Sequence, residues 1–137
     1  KNQRQGNWKI QERKNKNTAE AKQLDPQKEA ISYEDFSKLD IRVGTILSAE
    51  KMPKTKKLLV LKVDTGIDVR TVVSGISESY SPTEVVGKRV TILVNLAPRT
   101  LRGVESQGMI LMTTNAEGKL VFVNPDADGV GNGETIN

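Results

Sequence analysis

Residues 81–90, SPTEVVGKRV, decide the fold of this chain. Ser81 is suited to cap a helix, Pro82 to take its first position, and Glu84 to complete a capping box three residues after the cap. Gly87 then ends the helix after little more than one turn, and a strand rich in β-branched residues follows at once. The stretch therefore predicts a very short helix between two strands.

Strand patterns lie on both sides of this helix. Aliphatic and β-branched runs with turn residues between them predict strands at 41–52, 58–66 and 69–76 before the helix, and at 89–97, 107–114 and 119–125 after it. An OB-fold places its helix between the third and fourth strands. We therefore expect an all-β fold, a five-stranded OB-fold Greek-key barrel with extra C-terminal strands. An SH3-like barrel is the competing architecture.

The chain divides into a polar part and a folded part. Residues 1–30 are rich in Asn, Gln and Lys and hold the whole net charge of +4, which predicts a basic linker or tail. Residues 31–137 form the predicted domain, with a short lead-in helix capped by Ser32. Gly44 inside the first strand predicts a bend or bulge. The glycine-rich stretch 129–133 opens no helix, so we interpret it as a flexible turn.

The composition excludes most catalytic chemistry. The chain has no histidine and no cysteine, so it lacks the commonest general base, the commonest nucleophile and the best zinc ligands. The acidic residues show no metal-ligand spacing, and no phosphate-binding glycine loop precedes a helix. We expect no catalytic residues, no metal and no cofactor. No apolar run is long enough to span a membrane and no signal peptide opens the chain, so we expect a cytoplasmic location.

The positive charge of the folded part is concentrated in its middle. Residues 51–102 hold ten Lys and Arg against four Asp and Glu, although residues 31–137 together are neutral. Two connections, KMPKTKK (51–57) and PRTLRG (98–103), lie at the same mouth of an OB-fold. The three strands before the helix contain no aromatic residue for stacking bases. This combination favours a folded nucleic acid bound by its phosphates and shape, with an ordinary solvated surface as the alternative.

Three stretches resemble the tRNA-binding domain family. They are LDIRVGTILSAEKMPKTKKLLVLKVDTG (39–66), RTVVSGI (70–76) and VGKRVTILVNLAPRTLRGVESQGMIL (86–111). That family includes the C-terminal domain of bacterial methionyl-tRNA synthetase, the endothelial monocyte-activating polypeptide II domain and free-standing tRNA-binding proteins. The lead-in and the C-terminal end are most similar to the synthetase version. The resemblance implies an OB-fold, homodimerisation through C-terminal elements, and tRNA binding by shape, with residues 1–30 as the tether to a covalently attached catalytic body.

Carried onto this chain, the family resemblance implies a set of tRNA contacts. They are Lys54, Lys56, Lys57, Ser74, Asn95, Arg99, Arg102, Ser106, Gln107 and Met109. An alternative is open for Ser106 and Gln107, which can instead satisfy buried backbone groups at a corner of the barrel. The chain departs from the family at 52–57, where many members carry a His-Pro-x-Ala-Asp-type segment. That departure puts the local side-chain contacts in doubt but adds positive charge.

Three functions of different classes follow from these observations. The leading hypothesis is a non-catalytic tRNA-binding and dimerisation module of methionyl-tRNA synthetase. The second is a free-standing tRNA-binding protein. The third is a chaperone-like or protein-interaction module whose important surface is a dimer seam, and an oligosaccharide-binding OB-fold is a remote fourth.

Overall fold

The computed structural model describes residues 24–137. Within that range the chain forms two short helices and ten strands, and every strand pair is antiparallel. In chain order they are α1 (Tyr33–Ser37), β1 (Ile41–Lys51), β2 (Leu59–Asp64), β3 (Val69–Ser74), α2 (Pro82–Val85), β4 (Arg89–Leu93), β5 (Arg99–Leu101), β6 (Val104–Ser106), β7 (Met109–Ile110), β8 (Met112–Thr114), β9 (Leu120–Phe122) and β10 (Thr135–Ile136).

The main sheet has the strand order β3-β2-β1-β4-β7, and β10 adds to β1. The long β1 pairs with β4 through 41–45 and with β2 through 45–51, so the sheet curls as it passes along this strand. Two smaller antiparallel pairs, β5–β6 and β8–β9, complete the fold. The helix α2 lies between β3 and β4 in the chain. The prediction of an all-β, OB-like barrel is confirmed.

The first strand bulges at a point that the sequence did not predict. A bend or bulge was predicted at Gly44, but the register between β1 and β2 shifts between Ile46 and Ser48, so the bulge lies farther along the strand. Gly44 is needed for a different reason, because a Cβ there would lie 2.9 Å from the carbonyl oxygen of Asp64. Its missing side chain allows the two strands to approach closely.

The core fills the inside of the curled sheet. Ile46, Leu61, Val90 and Ile92 have no exposed surface, and α2 adds Val85 to the same cluster. Fully burying an aliphatic side chain stabilises the fold by about 1.5–3 kcal/mol, so α2 is held mainly by this one residue.

The predicted capping of α2 is present. The backbone N–H of Ser81 donates to a carboxylate oxygen of Glu84 at 2.7 Å. This hydrogen bond lowers the pKa of Glu84 from its ordinary value. Because the pKa is lowered in the fold, the contribution of this carboxylate to stability is present above the unfolded pKa. It is lost as the pH falls through the lowered value.

All six predicted strands are shorter in the structure than the sequence indicated, and two of them differ most clearly at Leu93 and Leu111. The strand predicted at 89–97 ends at Leu93, which lies opposite Ile41, the first residue of β1. Beyond it, the amide of Val94 still donates to the carbonyl of Asp40 at 2.8 Å. The strand predicted at 107–114 is interrupted at Leu111, whose N–H donates to Thr91 in β4 while its carbonyl accepts from Val123. Leu111 therefore joins the main sheet to the β8–β9 pair.

The glycine-rich C-terminal segment is fixed against β1 and is not a free turn. Gly133 donates to the carbonyl of Val43 at 2.8 Å, and the amide of Val43 donates to Glu134 at 3.0 Å. A Cβ on Gly66, which has φ of +87°, would lie 2.6 Å from the backbone of Asn132. The turn at 64–68 thus packs directly on the segment. No helix within residues 24–137 is long and apolar enough to cross a membrane.

We predict that Gly66→Ala destabilises the fold by about 3 kcal/mol or more, because the new methyl group clashes with backbone that cannot move aside cheaply. Gly87→Ala is the matched control, since Gly87 has φ of +88° and open space around its Cβ position. The control carries only the left-handed penalty of about 1–2 kcal/mol. Urea unfolding of both variants measures the difference, and equal losses would contradict the close packing of Gly66.

Candidate nucleic-acid interface

One groove lies between the loop after β1 and the β5–β6 hairpin. Its volume is about 760 Å³, and we call it the basic groove. Four of its lining side chains are cationic and two are carboxylates. These are Lys51, Lys54, Lys62, Arg102, Glu50 and Glu105.

The basic groove is built from two loops over a sheet floor. The loop after β1 supplies Lys54, and the turn of the β5–β6 hairpin supplies Arg102. Val60, Lys62 and Thr71 of β2 and β3 form the floor, where the Lys62 ammonium donates to the Thr71 hydroxyl at 2.6 Å. The structure thus brings the two predicted basic loops together. None of the described residues that line the groove is aromatic.

The β5–β6 hairpin is anchored to β3 by two side-chain acceptors and one backbone hydrogen bond in place of a regular ladder. The Ser106 hydroxyl, 6% exposed, accepts from the Val73 amide at 2.9 Å. The Gln107 amide donates to the Thr71 carbonyl at 2.8 Å, and the Gln107 side-chain oxygen accepts from the Thr71 amide at 3.3 Å. We call these bonds the closure seam. Ser106 and Gln107 therefore have the alternative role that the sequence left open, and tRNA contact by them stays a prediction.

Arg70 adds to the closure seam through a hydrogen bond to the Gln107 carbonyl and does not line the basic groove. Its guanidinium donates to the carbonyls of Val94 and Gln107 and pairs with Asp68 at 3.0 Å. Hydrogen bonds from Arg70, and then from Thr65, lower the pKa of the Asp68 carboxyl. One cation of the basic stretch is thus used inside the fold.

Several predicted contact residues lie outside the basic groove. Ser74, Arg99 and Met109 line a second, smaller cavity of about 170 Å³, together with Ser106. Met109 is 45% exposed there. Lys56 and Lys57 are exposed in the loop after β1 and line neither of these two cavities.

Asn95 connects the segment between α1 and β1 to the end of β4. Its side-chain oxygen accepts from the Asp40 amide at 2.9 Å, and its side-chain nitrogen donates to the Lys38 carbonyl at 2.7 Å. Both polar ends of the amide are engaged by backbone, which is a structural use that sequence reasoning missed. Contact of Asn95 with tRNA stays a prediction.

Two groove cations were missing from the predicted contacts. Lys51 ends β1, and Lys62 is exposed between the buried Leu61 and Val63. The alternation of β2 carries the signal for Lys62, because a lysine between two core positions must point away from the core. For Lys51 the signal is its position at the start of the basic loop.

The basic groove is suited to binding anions and offers little for catalysis. Ammonium and guanidinium groups form charge-assisted hydrogen bonds with phosphate, and the two carboxylates restrict where phosphates can sit. Within residues 24–137, no three His, Cys, Asp or Glu side chains cluster closely enough to hold a metal ion. The arrangement can hold a polyanion along a defined track.

A family model described as "Putative tRNA binding domain" matches residues 41–134. Among curated proteins, the chain is 71% identical over 129 residues to methionine–tRNA ligase of Flavobacterium johnsoniae and 50% identical over 120 residues to that of Porphyromonas gingivalis. The two alignments cover 94% and 88% of this chain. In both cases the chain spans only 18% of the length of the relative.

Solved structures show the same architecture. A MetRS-related protein from Pyrococcus horikoshii superposes with a TM-score of 0.73 at 37% identity, covering 80% of this chain and 99% of that protein. The chaperone CsaA from Bacillus anthracis superposes with a TM-score of 0.70 at 27% identity, covering 80% of this chain and all of that protein.

Proposed function

Because this chain belongs to the putative tRNA-binding domain family, we propose that it binds tRNA without catalysing a reaction, as the tRNA-binding unit of a methionine–tRNA ligase. The observation that carries the proposal is the basic groove, because cations from two separate loops line it together. Its relatives among methionine–tRNA ligases support the attachment to a catalytic body in the full-length protein.

The chemistry of the groove favours recognition of a folded RNA. The described part of the groove lining has four cations and no aromatic side chain, which suits phosphate contacts and gives no surface for stacking unpaired bases. Phosphates of a folded RNA lie at fixed spacings, so a rigid set of cations recognises shape and not sequence. Of the predicted contacts, Lys54, Arg102 and Gln107 line the groove, and Arg99 lies on the same hairpin as Arg102.

The expected benefit to the ligase is a local concentration effect. A tRNA held by this domain stays near a tethered active site, so its encounter with that site becomes effectively intramolecular. The domain would then lower the KM for tRNA and leave kcat largely unchanged, since it makes no contact specific to the transition state.

We predict that the chain binds bulk tRNA with a strong dependence on salt. The four groove cations and Arg99 give about five phosphate contacts, which imply a log–log salt slope of roughly −4 to −5. Affinity should therefore fall several hundred-fold between about 50 and 200 mM salt. Arg99→Ala/Arg102→Ala should bind far more weakly at the lower salt.

The matched control is Lys38→Ala/Lys88→Ala, which removes the same net charge from two exposed positions away from the groove. It should bind within about threefold of the unchanged chain, because exposed charges farther off than the Debye length are screened. Absence of tRNA binding, or equal losses in both double variants, would contradict the proposed function.

We also propose that the chain pairs with a second copy through the face formed by α1 and β10. No residue of α1 is buried, and Tyr33 is 79% exposed, Leu39 45% and Ile136 38%. Tyr33, Leu39 and Ile136 line one open cavity together with Phe36. Exposed apolar side chains gathered in this way mark an interaction surface.

Sedimentation across a range of micromolar concentrations tests the pairing. The unchanged chain should sediment as a dimer, and Tyr33→Asp/Ile136→Asp should shift it to monomer, because a charge placed in an apolar interface is left without a partner. Val123→Asp, at a position 43% exposed in another part of the chain, is the control and should remain dimeric. A monomer at every concentration would contradict the pairing.

A chaperone-like protein is the second candidate function, and one comparison favours it. The fold of this chain covers all of a protein described as the chaperone CsaA. Suppression of aggregation of an unfolded client by the chain, unaffected by Arg99→Ala/Arg102→Ala, would support that candidate over tRNA binding.

A further inference from the structure

Two cationic residues have a backbone conformation that L-amino acids rarely adopt. Within residues 24–137, positive φ outside glycine occurs at Lys54, with φ of 67°, and at Arg102, with φ of 50°. Both residues line the basic groove. The left-handed region is unfavourable for them because their Cβ atom crowds a carbonyl oxygen of the backbone.

The turn at Lys54 normally selects a different residue. Lys54 follows Pro53 in the turn at 53–54 of the loop after β1. In a turn that begins with proline and continues with positive φ, the second of these positions favours glycine or asparagine. Lysine at this position makes the turn less stable than glycine or asparagine would.

The turn at Arg102 shows the same mismatch on the opposite wall of the groove. Leu101 pairs with Val104, so Arg102 and Gly103 alone form the hairpin loop, with φ of 50° and 83°. Two-residue hairpin loops with positive φ at both positions strongly favour Asn-Gly. Gly103 fits this preference and Arg102 does not.

Among residues 24–137, neither side chain forms an ion pair. The ion pairs formed within residues 24–137 involve other cations, namely Lys38, Arg42 and Arg70. The two carboxylates that line the groove, Glu50 and Glu105, take part in none of them. The ion pairs of the described residues therefore do not explain why both turns carry a cation.

Resting on the proposed function, we infer that Lys54 and Arg102 form a two-point clamp for RNA phosphates, held by left-handed turns at the expense of stability. The conformation directs one ammonium and one guanidinium into the same groove from opposite loops. Backbone strain of this kind is found at binding sites, where surrounding structure holds it in place. The other groove cations, Lys51 and Lys62, lie on regular strands and carry no such strain.

Asparagine substitutions separate the binding role from the structural cost. Lys54→Asn and Arg102→Asn remove the charge and fit the left-handed backbone, so the double variant should melt about 2–5 °C higher. Each single variant should bind bulk tRNA about tenfold more weakly, as expected for one lost charge-assisted contact. Each should also reduce the magnitude of the log–log salt slope by about 1.

Lys88→Asn is the matched control. Lys88 is exposed, has no positive φ, does not line the basic groove and is not among the predicted contacts. Its variant should keep the melting temperature, and its affinity should fall by about twofold at most, because an exposed charge outside the groove is screened by salt.

The possible results decide between the clamp and the wider function. Binding by the Lys54→Asn/Arg102→Asn variant within about threefold of the unchanged chain, with the same salt slope, would overturn the clamp while tRNA binding stands. A lower melting temperature for that variant would overturn the stability argument. Failure of the unchanged chain to bind tRNA at all would remove the proposed function and the clamp with it.

Discussion

The closure seam is the constraint on which the rest of this structure depends. Strand β3 is an edge of the main sheet, and an unpaired edge leaves buried amides and carbonyls without partners. Ser106 and Gln107 supply those partners through a hydroxyl, an amide oxygen and one backbone N–H. Arg70 adds hydrogen bonds to the carbonyls of Val94 and Gln107. Closing the barrel in this way also fixes the root of the β5–β6 hairpin.

A fixed hairpin gives the basic groove its second wall. The hairpin turn places Arg102 opposite Lys54, and the side chains of β2 and β3 lie between them as a floor. Polyanion recognition by shape requires cations at defined separations, which a loosely attached hairpin could not provide. The same seam therefore stabilises the fold and positions the charges. This also explains why Ser106 and Gln107 are needed next to Arg102 without having to contact RNA themselves.

Local signals in the sequence were sufficient for much of this architecture. Ser81, Pro82, Glu84 and Gly87 predicted α2, and the basic loops predicted a charged mouth, because both depend on a few adjacent residues. Features made by contacts between distant residues could not be predicted in this way. Two such contacts join positions more than fifty residues apart. Asn95 bonds to Asp40, just before β1, and the C-terminal segment packs on the turn after β2. For Ser106 and Gln107 the sequence left two roles open, contact with tRNA or hydrogen bonding to buried backbone. A polar side chain just before a strand is compatible with both.

Native-state hydrogen exchange at the closure seam tests the account most directly. The amides of Thr71 and Val73 have side-chain acceptors, Gln107 and Ser106, in place of a β-ladder partner on that side. If these bonds close the barrel, both amides should exchange only through global unfolding, as slowly as the amides of the core strand β4. Exchange at the rate of a fraying loop would show that the seam opens independently, and would contradict the claim that it holds the hairpin over the basic groove.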